Sequence, residues 1–316
     1  MKSLEISRKP NIGMVSPEAG VRRLTRGRLL AAGAVAGMIA IDQGIARQTR
    51  MRHDTEAHFL SEETDGERAL FVLPGCRMDG ALVAGMMRPQ LREFGDTTFV
   101  DYARRGFDLD EIKEGLLKER TRSSEKPATI LALSMGGQAV SEMLTDTDFL
   151  RQFGDIENVI FDSSPADIHD VRPSARAALG YADAMRGSWT FDKMGGRFMQ
   201  YQSRRQIEHE VCISDSQLAQ SNRTIAYAPL HMAHSQGLFI KKTRTTPDSL
   251  VGVAGHTYYI HSPSDSVIYT DAAAEKYNDA VGGVLIDITD ERRPHGSHAA
   301  GAAFQQKIVD IISGAI

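Results

Sequence analysis

Ser134 stands where a nucleophile could work. The stretch Ala128–Val140 reads Ala-Thr-Ile-Leu-Ala-Leu-Ser-Met-Gly-Gly-Gln-Ala-Val, so an apolar, β-branched run reaches the serine, two glycines follow Met135, and a helix-forming segment, Gln138 to Leu144, carries on. A strand, a sharp turn and a helix in that order lift the serine Oγ clear of a sheet edge. They also leave the backbone N–H of the next residue, Met135, facing a developing oxyanion. Such a turn crowds the positions on either side of it. Those positions are Ala132 and Gly136, both small, although Ala132 departs from the commoner glycine. An ordinary tight strand-to-helix turn can have the same short motif, so the chain must also supply an acid, a base and a second oxyanion donor.

Two later loops offer the acid and the base. After Tyr258-Tyr259-Ile260-His261 comes Ser-Pro-Ser-Asp265, which places a carboxylate on the loop that follows a late strand. After Val284–Ile288 comes Thr-Asp-Glu-Arg-Arg-Pro-His295-Gly-Ser-His298, and then a helix. Ser134, Asp265 and His298 therefore occur in the order nucleophile, acid, base. His298 is preferred because Gly296-Ser297-His298 leads directly into the last helix, and His295 is the alternative. Asp162, at the end of the strand Asn158–Phe161, is the alternative acid. The plainer readings of these two are a surface loop histidine and a helix-initiating aspartate. The second oxyanion donor is expected on the loop after the first core strand, Leu73-Pro74-Gly75-Cys76-Arg77, with the Cys76 N–H first and Arg77 next.

The elements that must position these groups alternate from Arg68 onward. Strands are expected at Ala69–Leu73, Thr97–Tyr102, Thr129–Leu133, Asn158–Phe161, Gly255–His261 and Val284–Ile288. Helices are expected at Ala81–Phe94, kinked or divided by Pro89, and at Asp108–Arg120, Gln138–Leu144, Asp271–Tyr277 and Ala299–Ile312. Repeated strand–helix alternation implies right-handed crossovers and an α/β fold, a mostly parallel, doubly wound sheet covered on both faces. Open sheets of this kind bind ligands at the carboxyl ends of their strands, where every residue named above falls. Between Pro165 and about Val251 the rhythm breaks. A structureless loop of that length is rare in a compact domain, so about 165–251 reads as an inserted, mainly helical cap. Its Met and aromatic residues, Met185, Trp189, Phe191 and Phe198 among them, either line an apolar pocket or pack the cap onto the sheet.

The chain of 316 residues, 41% hydrophobic and 25% charged, is long enough for a large core. Its net charge of −4 gives no basic excess, which argues against nucleic acid as a partner. Cys76 and Cys212 are too few for a disulfide framework. Residues 1–28 carry Lys2, Arg8, Lys9, Arg22, Arg23, Arg26 and Arg28 against Glu5 and Glu18, and Leu29–Ile41 then has no charge. A spanning helix needs about 20 apolar residues and a signal core roughly 7–15, so the length favours an export signal, with a retained membrane anchor through residues 29–41 as the alternative. Residues 47–66 read as a polar tether, which makes 1–66 a targeting region and 67–316 the folded domain. The expected location is outside the cytoplasm or at the cell envelope.

Leu-Pro-Gly-Cys (73–76), Ala-Leu-Ser-Met-Gly-Gly (132–137), His-Ser-Pro-Ser-Asp (261–265) and Gly-Ser-His-Ala (296–299) together resemble the α/β-hydrolase superfamily, from about residue 68 to the end with the cap inserted. That resemblance implies an esterase- or lipase-like serine hydrolase working through an acyl-enzyme. It further implies a small-molecule acyl substrate with an apolar acyl portion, and no cofactor. An acyltransferase on the same nucleophile, or a non-catalytic binding protein on the same scaffold, are the alternatives. His231-Met-Ala-His234 lacks the glutamate of a zinc-protease helix, and the crowded Asp162, Asp167, His169 and Asp170 read as a solvated turn, so no metal site is expected.

Overall fold

The computed structural model describes residues 56–185, 229–243, 250–287 and 302–315, apart from 77, 79, 104–105, 262–264, 266 and 282–283. The strands are β1 (His58–Glu62), β2 (Arg68–Leu73), β3 (Gly95–Asp101), β4 (Ala128–Leu133), β5 (Ile156–Asp162), β6 (His256–His261) and β7 (Val284–Asp287). The helices are α1 (Gly80–Leu91), α2 (Leu109–Arg122), α3 (Met135–Leu144), α4 (Thr147–Phe153), α5 (Pro173–Met185), α6 (Pro229–Lys242), α7 (Thr270–Val281) and α8 (Ala302–Ile312). The strands form one sheet in the order β1-β3-β2-β4-β5-β6-β7, parallel throughout except for β1.

Side-chain alternation along the central strands builds two cores. Phe71, Leu73, Ile130, Ala132, Val159 and Phe161 face one way, onto Ile112 and Leu116 of α2, Val140 and Met143 of α3, Phe149 and Phe153 of α4, and Tyr277 of α7. Leu70, Val72, Leu131, Leu133, Ile160 and Ile260 face the other way, onto Val83 and Met87 of α1 and Ile308 and Ile311 of α8. Because both faces are covered, the central strands have no solvent-facing side, and every residue of β4 is buried.

Some elements depart from the sequence expectations. Residues 58–62 are not tether but an edge strand, β1, antiparallel to β3. Helix α2 holds it there: Ser61 Oγ donates to Glu119 Oε2 (2.6 Å), the Ala57 N–H donates to Glu111 Oε1 (2.7 Å), and the Phe59 ring fills the space left by Gly115. Pro89 does not divide its helix: it lies in the last turn of α1, which runs on to Leu91. Helix α4 has no long apolar stripe; Asp146 starts it by accepting the N–H groups of Asp148 and Phe149.

Within 165–251 the described residues form a 3-10 turn at Ile168–Asp170 and the helices α5 and α6. Gly237 of α6 packs close to Leu179 of α5, and the Phe239 ring lies tilted against Phe107 with centroids 4.5 Å apart. No described helix is long and apolar enough to cross a membrane, and the 29–41 segment lies outside the described residues.

Candidate active site

Strand β4 ends at Leu133, and Ser134 takes up φ 50° and ψ −116° before α3 begins at Met135. This is a backbone conformation that a serine rarely adopts. The surroundings hold it: the Ser134 N–H donates to the Asp162 carbonyl (2.8 Å), and the Ser134 carbonyl accepts from the Gly137 N–H (2.9 Å). Both glycines of the turn are required by contact. A Cβ on Gly136 would strike the Leu73 carbonyl, and one on Gly137 would overlap Ser164. Ser164 itself is fixed from below, its Oγ donating to the Ala132 carbonyl (3.1 Å) and its own carbonyl accepting from the Tyr259 hydroxyl (2.9 Å). Ala132 pairs with Leu73 on one side and Phe161 on the other and is fully buried, which leaves no room for a larger residue.

The loop after β2 runs directly past this serine. A Cβ on Gly75 would lie 3.0 Å from Ser134 Cβ and 2.9 Å from Met78 Sδ, so any larger residue would press on the serine. Tyr102, just beyond β3, donates its hydroxyl to the Pro74 carbonyl (2.9 Å) and so braces the loop from a buried position. Burial pushes the Tyr102 phenol pKa well up and the neighbouring Cys76 thiol adds to the shift, so the group remains a proton donor. Cys76 follows Gly75, half-buried and in no disulfide, and packs against the first core. Met135 is the first residue of α3, where helix N–H groups have no partner within the helix and favour negative charge.

The two candidate acids follow the neighbouring strands. Asp162 ends β5 and is 1% exposed, while Asp265 lies beyond β6 and is 2% exposed. Asp265 Oδ1 accepts from the N–H groups of Val267 (2.7 Å) and Ile268 (2.8 Å). β4, β5, β6 and β7 are consecutive and parallel, so Ser134 and the strand ends at Asp162, His261 and Asp287 all lie at one edge. His295, His298 and Arg77 lie outside the described residues. Tyr102 and Ser164 are supporting residues that no sequence motif marked.

The crowded aspartates after β5 are not a solvated turn. The Asp170 carboxylate is buried, accepts the N–H groups of Ala166 and Asp167, and meets Lys276 of α7 at 2.6 Å. Lys276 also reaches Asp167 (3.0 Å). Burial draws the Lys276 ammonium pKa down, and the hydrogen bonds to Asp170 and Asp167 outweigh that and raise it. Among the described residues there is no group of three metal-ligating side chains placed to hold an ion.

No family model matches the sequence, and no curated protein matches it. Solved structures do. An enol-lactonase from Burkholderia xenovorans superposes with a TM-score of 0.59 at 15% identity, over 81% of this chain and 96% of its own. A bromoperoxidase from Bacillus anthracis gives 0.59 at 17% identity over 82% and 95%, and an esterase from Exiguobacterium antarcticum gives 0.58 at 14% identity over 83% and 98%. The chain has the α/β-hydrolase fold. Many chemistries share the α/β-hydrolase fold, so the site's own residues carry the functional argument.

Proposed function

We propose that the protein is a serine hydrolase that cleaves a carboxylic ester, or a related acyl bond, through an acyl-enzyme. The observation that carries this is Ser134, a non-glycine residue at φ 50° between a buried parallel strand and a helix, at the carboxyl edge of the sheet. Strained residues of this kind persist where their surroundings over-determine them, and they cluster at active sites. In this reading His298 takes the Oγ proton as Oγ bonds to the acyl carbon, and Asp265 holds the imidazole tautomer. The N–H groups of Met135 and Cys76 meet the oxyanion. Collapse breaks the bond to the leaving group, which takes the proton from His298. Water, deprotonated by the same imidazole, then releases the acid and restores Ser134. His295, Asp162 and the Arg77 N–H are the alternative base, acid and donor.

That two similar structures are an esterase and an enol-lactonase supports an acyl–oxygen bond as the target. The substrate is a small molecule with an apolar acyl portion, and the basic stretch ahead of Leu29–Ile41 supports action after export or at a membrane.

The test is fluorophosphonate labelling, with p-nitrophenyl ester hydrolysis, of the full chain and of Ser134→Ala. The wild type is expected to label and turn over. Ser134→Ala should lose labelling and fall by about 10⁴-fold or more in kcat. An inert wild type, or labelling that persists in Ser134→Ala, overturns the proposal. His298→Ala should lose more activity than His295→Ala, and the reverse moves the base to His295.

A further inference from the structure

The turn that carries Asp265 does not stand alone. Val267 and Ile268, whose N–H groups hold Asp265 Oδ1, are laid against the segment that follows β5. The Arg172 N–H donates to the Val267 carbonyl (2.8 Å), Arg172 Nε donates to the Ile268 carbonyl (3.3 Å), and Val171 pairs with Ile268 in an isolated antiparallel bridge. The Tyr269 N–H donates to the Asp170 carbonyl (2.7 Å). Asp170 thus grips the acid's turn through its backbone. Through its side chain it grips Lys276 of α7 and the N–H groups of Ala166 and Asp167.

Electrostatics makes this clasp more than a splint. Asp162, Asp170 and Asp265 are all buried, and all three act on Tyr259, whose phenol is driven up by burial first and then by Tyr277 and these carboxylates. Packing buried anions together is costly unless a cation reaches them. Lys276 supplies that cation at Asp170. Other ionisable groups on the elements around the turn are Asp167, His169, Arg172 and Arg176 on the facing segment, Tyr269 beneath the Arg172 guanidinium, His261 of β6 paired with Asp271 of α7 at 2.6 Å, and Glu275, Tyr277 and Asp279 on α7.

Resting on the serine-hydrolase reading above, we propose that Asp170 and Lys276 are positioning residues for the acid: the pair fixes the turn that aims Asp265 at the base. Neither touches the substrate, so the loss falls on turnover and not on binding. A displaced Asp265 stabilises the imidazolium less. The apparent pKa of the base then falls, and the acidic limb of the kcat/KM profile moves to lower pH.

The experiment compares the full-chain wild type with Lys276→Met, Asp170→Asn, Asp167→Asn and Lys276→Arg, using a p-nitrophenyl ester across the neutral pH range. Circular dichroism and urea unfolding establish that each variant is folded at the assay temperature. Lys276→Met and Asp170→Asn are expected to lower kcat by about 10- to 100-fold, the range associated with small misplacements of a catalytic group. KM should stay unmoved, the acidic limb should shift downward, and Ser134 labelling by fluorophosphonate should slow in parallel. Lys276→Arg should restore most of kcat and the wild-type limb. Folded variants with unchanged kcat and pH profile overturn the proposal, even if they are less stable. If Lys276→Met and Asp170→Asn do not fold, Asp167→Asn decides, because it removes one of the two carboxylates on a half-exposed ammonium: a smaller loss of kcat with the same downward shift supports the proposal, and an unchanged profile overturns it. A wild type inert to both ester and fluorophosphonate defeats the serine-hydrolase reading instead, and so is a separate outcome.

Discussion

Holding Ser134 at φ 50° costs on the order of 1–3 kcal/mol, which the contacts of Leu73, Asp162, Ser164 and the two glycines offset. Glycine adopts such a φ freely. Ser134→Gly is therefore expected to be more stable than Ser134→Ala in urea unfolding, although both lose labelling; the opposite order would show that the backbone there is relaxed. Tyr102→Phe tests the brace on the loop after β2. It leaves the Pro74 carbonyl without its buried donor and should cost about 1–3 kcal/mol, with a fall in kcat if the Cys76 N–H depends on that loop. The strand-to-helix turn at Ser134 was legible because a sharp turn needs small residues, here Ala132 and Gly136, at fixed local spacing. Tyr102, Ser164, Asp170 and Lys276 were not: Tyr102 meets its partner across 28 positions and Lys276 meets Asp170 across 106, and no local pattern encodes such meetings.

Continuous β-branched or apolar runs made β2, β4, β5 and β6 readable, because a strand covered on both faces must be apolar on both sides. β1 broke that rule. Its sequence, His-Phe-Leu-Ser-Glu, is that of an edge, and what defines it is α2, through Glu111, Gly115 and Glu119. The short helix α4 was missed for a related reason: its definition comes from Asp146, which caps it and also receives Lys113 of α2 at 2.8 Å. The Lys113 hydrogen bond is the largest influence on the Asp146 carboxyl and helps hold its pKa below the ordinary value. A carboxyl whose folded pKa is depressed contributes stability that is present above its unfolded pKa, about 3.9, and is lost as pH falls through the folded value. The acid limb of the stability profile should therefore be flatter in Asp146→Asn than in the wild type. Matched urea midpoints measured from neutral pH downward check this, and parallel limbs would remove the tie from the account. Asp108→Ala, which strips the cap from α2, should cost about 1 kcal/mol at neutral pH in the same measurement.

Alternation of strands and helices implied a doubly wound sheet, and the observed strand order agrees; what it did not give is which face each helix covers, since that follows from crossover geometry and not from composition. The result is two cores back to back, sharing the sheet's backbone but not its side chains. Ile130 of β4 belongs to the face under α2, α3, α4 and α7, whereas Ile308 of α8 belongs to the face under α1. Both are almost fully buried, so Ile130→Val and Ile308→Val should each cost about 0.5–1.5 kcal/mol. Residues in separate packing clusters add independently when the protein unfolds as a unit, and the double variant should match the sum of the singles within about 0.5 kcal/mol. The same variant should give one transition, coincident by circular dichroism and by fluorescence. A strand such as β4 cannot lose the packing on one face and keep the other, because the same backbone ladder, bonded to β2 and β5, holds both sets of side chains in register. Separated transitions, or a double variant far from additive, would mean that α8 and α1 can leave the sheet while the other face stays folded, and the carboxyl edge that displays Ser134 would then rest on one core alone.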